Sequence, residues 1–67
     1  MFSVNDILRH KQVTSYKRKI ISISVAKDSG EYIYLTIPLD NSSTPPMTFN
    51  GNDIKKHYEN VTILEEP

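Results

Sequence analysis

The sequence predicts a mainly-β fold, a small barrel of five short strands with a short helical turn before the last one. Three observations carry that expectation. From Tyr32 to Leu39, Ile33, Leu35, Ile37 and Leu39 alternate with Tyr32, Tyr34, Thr36 and Pro38, the period-two signature of a strand rich in β-branched and aromatic residues. A second run, Tyr16 to Val25, places Ile21, Ile23 and Val25 on one face and Tyr16, Arg18, Ile20, Ser22 and Ser24 on the other. Between them lies Lys27-Asp28-Ser29-Gly30-Glu31, where glycine supplies a positive φ and aspartate and serine suit a turn, so the two runs form a hairpin.

The remaining elements follow in chain order. Phe2-Ser3-Val4 alternates briefly, Asn5-Asp6 marks a turn, and Ile7-Leu8-Arg9-His10 reads as a strand. Pro38 lacks a backbone N–H and marks the end of its strand or a sheet edge. Asp40-Asn41-Ser42-Ser43-Thr44-Pro45-Pro46 is a loop, and Met47-Thr48-Phe49 is a short strand. Asn50-Gly51 is a turn, after which Asn52 or Asp53 caps one or two helical turns, α or 3₁₀, through Ile54 to Tyr58. Val61-Thr62-Ile63 is the expected final strand. Residues 1–64 then form one domain and 65–67 a disordered tail. The expected core is Phe2, Val4, Ile7, Ile21, Ile23, Val25, Ile33, Leu35, Ile37, Met47, Phe49, Ile54, Val61 and Ile63. Leu8 and Ile20 can fall on either side; if both lie outside they form an apolar patch suited to a protein partner.

Composition narrows the function classes. A chain of 67 residues buries only about 60% of the surface its unfolded form exposes, which favours a binding surface over a deep cleft. The absence of cysteine excludes disulfides and cysteine metal sites and favours a reducing compartment. No segment approaches the roughly 20 apolar residues of a membrane span, and the N-terminus lacks a signal-peptide apolar run, so a cytoplasmic location without membrane contact is expected. His10 and His57 read as surface histidines, and no H-E-x-x-H, Walker or G-x-G-x-x-G string occurs. No catalytic residue, metal or cofactor is therefore assigned.

The charges are unevenly divided. Up to Lys27, six basic residues (Arg9, Lys11, Lys17, Arg18, Lys19 and Lys27) stand against Asp6 alone; from Asp28 onward, Lys55 and Lys56 stand against seven acids. Either the halves attract each other across the barrel, or the asymmetry marks a partner surface.

Five short strands with a one-turn helix before the last is the order of a Src-homology-3-like barrel. Phe2-Ser3-Val4-Asn5-Asp6-Ile7-Leu8 resembles the first strand of many small barrels of the Tudor, KOW and phage-encoded kinds, where an aromatic, a glycine-aspartate turn and an aliphatic pair open the chain. Here Asn5 stands in the glycine's place, and asparagine also tolerates the left-handed region. Met47-Thr48-Phe49, a polar turn and Asp53-Ile54 look like the closing half of such proteins. The resemblance leans toward small phage or prophage accessory proteins, and it implies a fold rather than a function.

Two surfaces are the leading candidates. If Ile33, Leu35 and Ile37 fill the core, Tyr32 and Tyr34 point outward and, with Tyr16 and Arg18, form a partner-binding face for another protein. Alternatively Arg9, Lys11, Lys17, Arg18 and Lys19 form a positive face that binds nucleic acid, with the tyrosines stacking on bases. A monomer or a weak homodimer, basic half against acidic half, fits the charge division. The first expectation is thus a non-catalytic protein-binding module, such as a phage or prophage factor that docks on a host protein, and the second a nucleic-acid-binding barrel.

Overall fold

The computed structural model describes residues 2–39 and 44–65. Its elements are β1 (Ile7–His10), β2 (Lys17–Val25), β3 (Tyr32–Pro38), β4 (Met47–Asn50), α1 (Gly51–His57), β5 (Tyr58–Asn60) and the single turn α2 (Thr62–Glu65). The five strands form one antiparallel sheet in the order β4-β3-β2-β1-β5, curled into a half-barrel. In chain order α1 connects the two edge strands, β4 and β5.

Two left-handed residues set the tight turns. Gly30 has φ 72° in the β2–β3 hairpin, where the Gly30 N–H donates to the Ala26 carbonyl at 2.9 Å. Asn5 has φ 77°, the conformation its place in the turn before β1 requires. That turn begins earlier than expected. Phe2-Ser3-Val4 is not a strand: the Ser3 N–H donates to Asp6 Oδ2 and the Asp6 N–H to the Ser3 carbonyl. Reciprocal bonds from Asn5 N–H to the Ile20 carbonyl (2.7 Å) and from Ile20 N–H to the Asp6 carbonyl (3.0 Å) fasten the turn to β2.

The C-terminal third also shifts relative to expectation. Asn50, not Asn52 or Asp53, caps α1, its Oδ1 accepting the Asp53 N–H at 2.8 Å. The helix begins at Gly51, and the last strand is Tyr58–Asn60 rather than Val61–Ile63. The reason lies in β1: it offers its free edge to Tyr58, Glu59 and Asn60, and Thr62 is drawn away to accept the Ile7 N–H on its hydroxyl at 2.9 Å. Glu65 closes α2; residues 66–67 of the expected tail and 40–43 of the proline loop lie outside the described residues.

On β3 the core side is the face opposite to the one expected. Leu8, Ile20, Tyr34, Ile54, Tyr58 and Val61 are buried, with the polar residues Arg18 and Thr36 fully enclosed. Phe2, Tyr16, Ile23 and Phe49 pack against that cluster. Of the expected core, Ile54 and Val61 are buried and Phe2, Ile23 and Phe49 partly so. Val4, Ile21, Val25, Met47 and Ile63 are exposed, while Ile7, Ile33, Leu35 and Ile37 are half-buried outside the cluster. A β-bulge is part of the cause. The β2–β3 register pairs Ile20 with Thr36 but Ser22 with Leu35, leaving Ile21 as an extra residue. Arg18 and Ile20 therefore share the inner face with Ile23, although their parity differs.

Candidate functional site

The residues expected to form one partner-binding face divide between two ends of the β2–β3 pair. Arg18 lies opposite Pro38 and Tyr32 opposite Val25, so six residues of β3 separate them, roughly 20 Å. Arg18 and Tyr34 do not point outward: Arg18 is 0% and Tyr34 4% exposed.

At the Arg18 end the guanidinium is held inside the half-barrel. Its Nε donates to Thr36 Oγ1 at 2.7 Å, and one Nη donates to the Thr36 carbonyl at 3.0 Å and to the Pro45 carbonyl at 3.3 Å. The other Nη donates to the Tyr16 hydroxyl. The Tyr16 and Phe49 rings each lie 5.9 Å from the guanidinium carbon. Among the described residues Arg18 donates only to uncharged oxygens, so its desolvation is offset by hydrogen bonds and ring faces rather than by a carboxylate. Phe49 in turn packs on Tyr58, and Tyr58 on His10, completing an aromatic wall. Burial, and secondarily the neighbouring Tyr16, push the Tyr58 hydroxyl above its ordinary range, against the pull of Arg18.

The expected phosphate-binding residues are also dispersed. Arg18 is enclosed, and Arg9 forms an ion pair with Glu59 across β1–β5. That pair joins the basic part of the chain to the acidic part. Lys11 turns to the end of α1, its N–H donating to the His57 carbonyl at 2.9 Å and its Nζ to the Lys55 carbonyl at 2.6 Å. It satisfies helix carbonyls that have no partner within the helix. Lys17 and Lys19 remain on the outer face, across from Arg9 and Ile7. His10 Nδ1 accepts the N–H groups of Gln12 and Val13 at 3.1 Å each, which makes it a turn staple. Among the described residues no group of three or more His, Asp or Glu side chains converges to hold a metal ion, and no helix is long and apolar enough to cross a membrane.

The other end carries an open groove of about 360 Å³, lined by Phe2, Glu31, Tyr32, Tyr34, Gly51, Asn52 and Lys55. Its origin can be read from the register. β4 ends at Asn50, opposite Ile33, so Tyr32 and Glu31 run past the end of the neighbouring strand. The chain then turns into α1, leaving a gap between α1 and the β3 rings. Tyr34 forms the buried floor and Tyr32, 49% exposed, the rim. Phe2 stands edge-on to Tyr34 with centroids 5.5 Å apart, and Tyr32 is 6.5 Å from Tyr34. Gly51 contributes no side chain, and a Cβ there would come 3.8 Å from the Tyr34 ring. Glu31 and Lys55 place opposite charges along the lining.

The groove brings together Tyr32 and Tyr34, expected side by side on an outward partner-binding face, and Phe2, expected in the core and packed against it; Gly51, Asn52 and Lys55 were not among the residues expected to bind a partner. The signal available for these was the aromatic at position 2 together with Asn50-Gly51, which opens a helix beside the hairpin. Comparison with known proteins returns no matching protein family, no matching curated protein and no matching solved structure.

Proposed function

We propose that this chain is a non-catalytic protein-binding module, and that it takes an apolar or aromatic side chain of an extended partner segment into the Phe2–Tyr32–Tyr34 groove. The observation that carries this reading is a buried ring, an exposed ring and a third ring edge-on to the floor, meeting in one open groove. Rings held by packing offer large contact area with little side-chain entropy to lose. The volume lies at the lower end of the range for ligand-sized sites, and the open shape suits a side chain on a strand rather than an enclosed small molecule. Glu31 and Lys55 would orient the segment by its flanking charges. The sheet order, with α1 ahead of β5, supports the Src-homology-3-like barrel as the scaffold of this reading. Docking on a host protein as a phage or prophage accessory factor belongs to the same proposal and rests on the sequence resemblance.

The test is selection from a random-peptide library, followed by amide-resolved NMR titration of the enriched peptides. Shifts at Phe2, Tyr32, Tyr34, Asn52 and Lys55, lost in Tyr32→Ala with the fold intact, are the expected result. Binding that survives Tyr32→Ala, or no enrichment at all, sinks it. A parallel titration with oligonucleotides serves the nucleic-acid alternative, which predicts salt-sensitive shifts at Lys17 and Lys19.

A further inference from the structure

The inverted core leaves an aliphatic surface on the outside of the sheet. Directly opposed residues share a face, so the register defines that surface. Ile7, Lys19 and Ile37 form one row across β1, β2 and β3. Ser22, Leu35 and Thr48 form the next across β2, β3 and β4, and Ser24, Ile33 and Asn50 the third. Ile33, Leu35 and Ile37 thus stand as a column along β3. Beside Leu35 and Ile33 the side chains toward β2, Ser22 and Ser24, are short, while those toward β4 are Thr48 and Asn50. Side chains as short as serine leave a trough beside the aliphatic column on its β2 side.

We propose that this face is a twofold interface between two copies of the chain, in which each β3 ridge lies in the trough over Ser22 and Ser24 of its partner. A two-fold axis near Leu35 and Ile33 makes the arrangement self-complementary, since the same patch serves both sides. The charges agree with it. Lys19 lies at one end of the face; the hairpin turn at the other carries Asp28 and Glu31 beside Lys27, Glu31 also reaching the groove that Lys55 lines. Antiparallel stacking brings the Lys19 end of one copy over the acidic turn of the other, whereas parallel stacking sets lysine against lysine. Three strands about 4.8 Å apart and six residues about 3.3 Å apart give a footprint of roughly 14 by 20 Å. That is well under the roughly 800 Å² per partner of a tight complex, so association in the high micromolar range is expected, weakening with salt. The apolar contacts of this interface are separate from the groove, whose rings lie on the inner face; the two share only Glu31, in the hairpin turn.

Sedimentation velocity from about 20 µM to about 1 mM, at low and high salt, reads the outcome together with an NMR dilution series. The expected result is a mass rising from 7.7 kDa toward twice that value, with concentration-dependent shifts confined to the outer residues of β2 and β3. Leu35→Lys should hold the chain monomeric at every concentration. Ser24→Arg, which fills the trough without removing an apolar group, should do the same and keeps the test valid if Leu35→Lys does not fold. A monomer at 1 mM, a dimer insensitive to both substitutions, or shifts mapping to the groove or to edge strands β4 and β5 overturns the proposal. So does a face that responds only to an added acidic, apolar peptide, which would assign it to a foreign partner.

Discussion

Arg18 shows how a single side chain decides which face of a strand is inside. A charged residue at the middle of a sheet is ordinarily read as solvent-facing. Here Thr36 accepts from it through both its hydroxyl and its carbonyl, and the Thr36 hydroxyl itself donates to the Met47 carbonyl at 3.0 Å. The arginine is thereby tied to β3 and, through Thr36, to β4. Thr36→Val would strip Nε of its acceptor and should cost about 2–3 kcal/mol, a large share of the roughly 3–10 kcal/mol expected for a domain of this length. Arg18→Met, which removes the charge but keeps the volume, should stay within about 2 kcal/mol of wild type. The two changes together should cost less than their sum, and urea unfolding of the three variants measures the coupling. Additive effects would show that the pair is not one unit. The tyrosines were legible in the sequence as a pair on one face; that the face was the inner one was not, because Ile33, Leu35 and Ile37 give the opposite face equal apolar weight.

At the scale of elements the two glycines make opposite predictions. Gly30 has φ 72° and open space around it, so Gly30→Ala meets no clash but must hold a left-handed backbone, a cost of about 1–2 kcal/mol. Gly51 is helical, and its Cβ would make an ordinary contact with Tyr34, so Gly51→Ala should be neutral or stabilising by up to about 1 kcal/mol. Thermal unfolding of both variants checks this, and equal effects would contradict it. Asn50→Ala should cost about 1 kcal/mol by removing the α1 cap, with amide exchange accelerating first in residues 51–54. If exchange there is unchanged, the cap does not hold the helix start. The hairpin, its turn and the strands at β1, β3 and β4 were readable because turn residues and alternation are local signals. The end of α1 was not. Tyr58 continues a helical pattern in sequence, and only the free edge of β1 turns it into a strand.

The whole molecule has a pH dependence of its own. Tyr58 holds its proton more tightly in the folded chain, because burial disfavours the phenolate, than in the unfolded chain with its ordinary value of 10.0. That contribution to stability is full below pH 10 and is lost as pH rises through the folded value. As pH rises past 10 the wild type should therefore lose stability more steeply than Tyr58→Phe. Parallel slopes in denaturant titrations would rule out Tyr58 as the source. The sequence by itself determined the β class, the hairpin, a short helix after β4 and the left-handed turns at Asn5 and Gly30, since each depends on neighbours within a few residues. Only the tertiary structure decided which face of the sheet closes on itself. Alternation assigns residues to two faces without ranking them, and the ranking here depends on the bulge at Ile21, on acceptors 18 residues away for Arg18 and on rings large enough to fill the half-barrel. The same decision moved Arg18 from a surface to an interior, opened the Phe2–Tyr32–Tyr34 groove and left the Ile33–Leu35–Ile37 ridge outside.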